Sequence, residues 1–251
     1  MFKKQLKLLN QFSSLNKKET EILGQKLHAS QFQTLTQNLI LVNRHDEVTG
    51  NIDKLTAHRN DYIFSEKGEP HRAFSVFLFN HQNELLLHKR SDIKITFPKF
   101  WTNTCCSHPL MQADEMNQEE GCRLAAKRRL NFELNIEIEN QQDFLLVDKF
   151  IYKAPSYEGW GEYELDYVFL IKRDIKDVNP NPEEISEFAW VKKDQLKSFL
   201  KEKLENKGEK ATPWFEKIIE HKLMNWWELM EKDQVQPITD IEKVNKNIPL
   251  L

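Results

Sequence analysis

Residues 99–110 read KFWTNTCCSHPL, a stretch that sets two thiols side by side and a histidine two residues beyond the second. Adjacent cysteines close a disulfide only through a strained ring, so Cys105 and Cys106 read as free thiols open to metal binding or proton exchange. Further along, Glu162 and Glu164 stand two apart in GEYELDYVFL, and in a strand both would project from one face. Together with His58, His71 and His108 they are the residue types that hold divalent ions. Imidazole is the commonest protein metal ligand, and carboxylates complete sites for hard or borderline cations. Two acids on one face of an otherwise apolar strand need a partner, because uncompensated buried charge is costly. Spacing alone leaves two readings open: ligation, or an exposed edge strand accompanied by surface histidines. Cys105 and Cys122 fit small core residues.

The elements that must position these groups are legible in the hydrophobic pattern. NLILVN (38–43), RAFSVFLFN (72–80) and ELLLHKR (84–90) are short β-branched, aromatic or aliphatic runs, the last two joined tightly enough for a hairpin. Cys122, Ala126, Leu130 and Leu134 recur every four residues and predict an amphipathic helix over 119–134. DFLLVDKFIYKA (143–154) and EYELDYVFLIKR (162–173) flank the turn-rich PSYEGWG and read as two strands of one sheet. ISEFAWV adds a strand and KDQLKSFLKEKLEN a helix, and Thr212 with Pro213 opens a further helix through WFEKIIEHKLMNWWELM. Leucines and isoleucines at helical spacing before residue 36 predict a helical hairpin, and 232–251 has no clear period. The order of strands and helices predicts an α/β (α+β) fold: a mixed sheet between helices, with 1–36 as an N-terminal helical extension, 37–231 as the main domain and 232–251 as a tail.

The chain has 251 residues, 36 basic against 39 acidic, and a net charge of −3. No basic block suggests nucleic acid as a partner. No window approaches the roughly 20 apolar residues of a membrane span, and the polar-punctuated N-terminus does not read as a signal peptide, so the expected compartment is the cytoplasm.

The predicted helix carries AAKRRLNFELNI, which resembles the Nudix helix, with Arg128 at its arginine and Glu133 at one of its glutamates. Arg129 and Phe132 stand where a Nudix hydrolase has two further glutamates, and Asn135 where glycine is usual. WTNTCCSHPL, HRAFSVFLFN, WGEYELDYVFL and ATPW together resemble the type I isopentenyl-diphosphate isomerases, a Nudix branch that moves a double bond instead of hydrolysing. The resemblance runs from about Asn38 to about Trp227 and implies a Nudix-like α/β/α sandwich. It implies an isomerase of isoprene biosynthesis that interconverts isopentenyl and dimethylallyl diphosphates. It also implies one divalent ion (magnesium, manganese or zinc) on His58, His71, His108, Glu162 and Glu164. Cys106 and Glu164 would be the opposed acid–base pair, with Tyr152 supporting Glu164. A second ion, magnesium, would be held by Glu133 with the substrate diphosphate, and Lys54, Arg90, Lys94 and Arg129 would bind that diphosphate. Trp160 and Trp214 would wall the hydrocarbon pocket. The expected partner is this small diphosphate, in a monomer or homodimer. Two other readings compete with isomerisation: a Nudix diphosphohydrolase, and a non-catalytic metal-stabilised binding domain.

Overall fold

Two antiparallel strands, Glu19–Ile22 (β1) and Gln25–His28 (β2), followed by the short helix Ala29–Thr34 (α1), occupy the part of the expected helical hairpin that can be described. In the sequence Gly24, a poor helix former, interrupts the apolar run there. The computed structural model describes residues 19–22 and 25–251, so the first half of that expectation lies outside the described residues. The chain continues through Asn38–Val42 (β3), Val48–Asp53 (β4), Lys54–Ala57 (α2), Asn60–Ile63 (α3), His71–Phe79 (β5), Leu85–Arg90 (β6), Phe100–Thr102 (β7) and Cys105–Ser107 (β8). Then come Gln118–Leu134 (α4), Leu145–Pro155 (β9), Gly161–Lys172 (β10), Ile185–Val191 (β11), Leu196–Leu200 (α5), Lys210–Ala211 (β12), Pro213–His221 (α6), Leu223–Glu231 (α7) and Ile241–Asn245 (α8). The helix predicted from Thr212 onward is two helices, broken at Lys222, whose φ of −132° is not helical.

β5 to β12 and the β3–β4 ribbon form one mixed sheet. β10 runs parallel to β5 and antiparallel to β9. The opposite edge of β5 is shared by three strands in turn: β3 at its start, β8 in its middle and β6 at its end, all antiparallel. Alternation along the strands then sorts the core into two layers. Phe74, Val76 and Leu78 of β5 and Leu165, Tyr167 and Phe169 of β10 pack on Cys122, Ala126, Leu130 and Leu134 of α4. Phe77, Phe79, Val168 and Leu170 face the other way, against Trp214, Phe215, Ile218, Trp226 and Trp227 of α6 and α7. This is the predicted sandwich, with helices on both faces of a mixed sheet. At the end of α4, Asn135 adopts the left-handed conformation (φ 54°), and Ile136 N–H closes onto the Leu130 carbonyl. Asparagine thus serves where the resembling families carry glycine.

The last residues are not a loose appendage. α8 places Asn245 against the buried Lys149 ammonium, which also meets Asp46 at 2.8 Å. Beyond it, Ile151 exchanges backbone hydrogen bonds with Pro249 and Leu251, both at 2.8 Å, so the chain lines the open edge of β9. Among the described residues no helix is long and apolar enough to cross a membrane.

Candidate active site

The register of three strands builds the centre. β10 sets Glu164 opposite His71 on β5 and opposite Tyr152 on β9, so one rung across the sheet carries all three side chains. Glu162, two residues earlier, projects from the same face. On the other edge of β5, Ser75 lies opposite Cys106 of β8, and the chain reaches His108 two residues later. His58 follows α2, whose cap is Asp53, and its Nδ1–H donates to the Lys54 carbonyl at 2.7 Å. That bond leaves the Nε2 lone pair facing the cluster.

His58, His71, His108, Glu162 and Glu164 are all buried, and each brings one donor atom to within 4.8 Å of the others. His108 Nε2 lies 2.7 Å from Glu164 Oε1, His71 Nε2 3.5 Å from that oxygen, and His58 Nε2 3.0 Å from Glu162 Oε2. Both nitrogens of His71 and the Oε2 of Glu162 are buried with no partner in hydrogen-bonding geometry. Burial holds the His71 imidazole below its ordinary range, and burial together with the neighbouring His71 and His58 holds His108 well below it. For Glu162, burial and the neighbouring Glu164 push the carboxyl up, but His58 and His108 together outweigh them and hold it below its ordinary value. Glu164 behaves likewise, burial being outweighed by His71 and Tyr152. Neutral imidazoles beside ionised carboxylates, with orphaned buried donors, are the state that a divalent cation requires of its ligands. The donor set fits such an ion.

Around this cluster a cavity is lined by Lys54, Arg90, Lys94, Arg129, Cys106, Tyr152 and Trp214. Tyr152 donates a short hydrogen bond to Glu164 Oε2, so the two oxygens of Glu164 divide between the tyrosine and the histidines. Lys54 is held down to about 7, first by the loss of water around it and then by the nearby Lys94 and Arg129 cations. Arg90 is anchored through the Thr96 carbonyl at 2.9 Å and Lys94 pairs with Glu184 at 2.6 Å. Arg129 reaches Glu133 at 2.6 Å and Glu184 at 3.3 Å.

The twin cysteines part as strand geometry demands. Cys105 is buried among the residues that pack on α4, whereas Cys106 turns to the cavity. The Cys106 thiol donates to Asn103 Oδ1 at 2.9 Å and receives the Trp214 indole N–H at 3.1 Å. Burial, assisted by Asp166, pushes its pKa up to about 12. The thiol, ordinarily near 8.5, is therefore held firmly protonated.

One expectation changes. Trp160 does not line this cavity; it is buried in a small cluster with Leu27 and Leu35, of which Leu35 reaches the cavity wall. Glu133 does not line the cavity either, being buried behind Arg129. Four residues escaped the sequence reading. Ser107 lines the cavity beside Cys106, and Asn103 accepts the thiol hydrogen. Glu184, which opens the strand ISEFAWV on its N-terminal side, is the counter-ion of Lys94 and Arg129. Asp166 is a third acid on the Glu162–Glu164 face; it accepts from Ser75 at 2.7 Å and is pushed well up by burial and by Glu164. Only Asp166 had a signal, since it continues the two-residue acidic spacing of β10.

Residues 69–215 match the family model described as NUDIX domain. The chain is 44% identical over 214 residues to "Isopentenyl-diphosphate Delta-isomerase I" of Camptotheca acuminata, covering 83% of this chain and 90% of that protein. It is 41% identical over 233 residues to "Isopentenyl-diphosphate Delta-isomerase 1" of Mus musculus, covering 90% of this chain and 99% of that protein. A crystal structure of a Deinococcus radiodurans protein superposes with a TM-score of 0.50 at 22% identity, over 74% of this chain and all of that one, a likeness of fold.

Proposed function

From the membership of this chain in the Nudix family, and within it in the isopentenyl-diphosphate Delta-isomerases, we propose how the site works. The protein is an isomerase that interconverts isopentenyl diphosphate and dimethylallyl diphosphate. The observation that carries the reading of its site is that a thiol, Cys106, and a tyrosine-supported carboxylate, Glu164, line one cavity whose wall carries four basic side chains.

Moving the double bond adds a proton at the terminal carbon and removes another from the internal one, through a tertiary carbocation-like state. A donor and an acceptor must therefore face the five-carbon unit from different sides, in a space that excludes water. Glu164 with the Tyr152 hydroxyl supplies one side and Cys106 the other. The protonated state of Cys106 suits a group that hands over a proton in one direction and recovers it in the other. Trp214 presents an aromatic face to the passing positive charge, a contact of about 2 kcal/mol when desolvated. Lys54, Arg90, Lys94 and Arg129 hold the diphosphate, and its arrival restores the charge of Lys54.

His58, His71, His108, Glu162 and Glu164 would hold a magnesium, manganese or zinc ion, which when bound supplies charge that tunes the acidity of Glu164. Glu133, once Arg129 turns to the phosphates, would join magnesium carried in with the diphosphate. The proposed place of work is the cytoplasm, although three of the relatives are named chloroplastic forms. An assay of purified metal-loaded protein tests the whole reading: isomer formed without phosphate release supports it, and steady phosphate or pyrophosphate release without isomer refutes it in favour of a diphosphohydrolase. A protein that binds metal and does neither would be the non-catalytic domain.

A further inference from the structure

We infer that Asn103 is a positioning residue for the isomerisation, its amide oxygen aiming the Cys106 thiol and the Trp214 indole into the same cavity. The inference rests on the reading of Cys106 as a reacting group.

Asn103 lies in the two-residue link between β7 and β8 and is fully buried. Its Nδ2 donates to the Val76 carbonyl at 3.0 Å and to the Cys105 carbonyl at 3.1 Å. A carbonyl oxygen only accepts, so the end of the amide facing these two must be the NH2 group and Oδ1 must face the other way. On that side three donors converge: Cys106 Sγ at 2.9 Å, Thr102 Oγ1 at 3.0 Å and Trp214 Nε1 at 3.1 Å. The indole N–H is shared with the sulfur itself, also at 3.1 Å. Thr102 in turn meets the Thr212 hydroxyl at 2.9 Å, which ties the start of α6, and so Trp214, to the same point.

Building the β7–β8 link requires only the two Nδ2 bonds. The Oδ1 contacts do something else, because two of the three donors line the cavity while Asn103 does not. A cysteine side chain has three staggered positions, and a thiol is too weak a donor to hold one of them unaided. Asn103 Oδ1 on one flank and the indole N–H on the other select the position that points the sulfur at the bound five-carbon unit. Trp214, packed edge-on against Phe97 with ring centres 5.3 Å apart, is fixed by the same oxygen.

The test compares Asn103→Ala and Asn103→Asp with the parent and with Cys106→Ala, all metal-loaded, for kcat, KM, metal content, melting temperature and the rate at which an epoxide analogue of isopentenyl diphosphate labels Cys106. A reacting atom displaced by about 1 Å loses on the order of 100-fold in rate, so the alanine variant should lose about that factor in kcat and in labelling. Its KM should stay within about twofold and its metal content unchanged, because nothing it touches binds phosphate or metal. The aspartate variant, its buried carboxyl held protonated, keeps a donor toward the Val76 and Cys105 carbonyls and an acceptor toward the thiol, and should recover at least about tenfold over alanine. If the alanine variant does not fold, Asn103→Leu, which has a similar volume and no acceptor, is judged by the same criteria. The proposal is overturned by a folded variant lacking the acceptor that keeps kcat within about threefold of the parent, or by an aspartate variant no better than alanine. Isomerase activity surviving in Cys106→Ala would instead sink the reading of the thiol.

Discussion

Replacing Tyr152 with phenylalanine removes one oxygen and leaves the ring between Trp214 and Phe150, with ring centres 5.5 and 6.0 Å away. The oxygen is the donor to Glu164 Oε2, a buried carboxylate whose other oxygen already serves His108. A hydrogen bond to a buried charged group contributes about 1.5–3 kcal/mol, and its loss leaves the acceptor unsatisfied. For a chain of this size that lowers the melting temperature by roughly 3–10 °C. In the proposed mechanism the same bond acts while Glu164 exchanges its proton, and each 1.4 kcal/mol is about tenfold in rate, so kcat should fall by about 10- to 100-fold. The five histidine and glutamate donors are untouched, so metal content should not change. Calorimetry, metal analysis and steady-state kinetics on one preparation read all three quantities. A Tyr152→Phe protein with kcat within about twofold of the parent and an unaltered melting temperature would show that the hydroxyl does not hold Glu164.

His108→Ala should lose the tightly bound ion and activity together, since an imidazole 2.7 Å from Glu164 is replaced by a gap; unchanged metal content refutes its role as a ligand. Glu133→Gln should weaken magnesium-dependent substrate binding while the histidine-bound ion stays, which a magnesium titration of KM checks. Cys106→Ser should fold, bind metal and lose most of its turnover, whereas Cys105→Ser should stay active, with at most a modest loss of stability from a hydroxyl placed in the buried cluster that packs on α4. The opposite pattern would exchange the two assignments. His71 and His108 have folded pKa values below the ordinary 6.5, so the unfolded chain binds more protons as pH falls below that value. The metal-free protein should therefore keep its stability at neutral pH and lose it below about 6.5, and urea midpoints that stay flat between pH 7 and 5 would contradict this.

The strands were legible because their residues alternate or are uniformly apolar, and Glu162, Glu164 and Asp166 share a face for the same reason. The helix over Cys122–Leu134 was legible from its four-residue period. The convergence of His58, His71 and His108 with Glu162 and Glu164 was not in the spacing at all; it came from resemblance, because three of the five arrive on separate elements that only the sheet order brings together. Asn103 and Glu184 escaped notice because an uncharged amide in a tight link and an acid among loop acids have no periodic signature. Trp160 was misplaced since an aromatic residue near a site looks alike in sequence whether it faces the cavity or a neighbouring cluster. Cys106 faces the cavity and Cys105 the other layer, as alternation along an extended chain requires, but the elevated pKa of Cys106 needs the three-dimensional burial that sequence does not display.

With a divalent ion on His71 and Glu164, as proposed, the rung that joins them to Tyr152 would make ion binding a proofreading step for strand pairing. Side chains alternate with a period of two, so sliding β10 by one residue against β5 would swing Glu162 and Glu164 toward α4 and bring Tyr163 and Leu165 to the imidazoles. Such a chain could still bury much apolar surface, because both faces of β10 are largely hydrophobic. It would have no carboxylate for the ion. An ion that binds only the correct register adds its binding energy to that register alone, so metal present during refolding should raise the yield of correctly paired protein and not merely the activity of what has already folded.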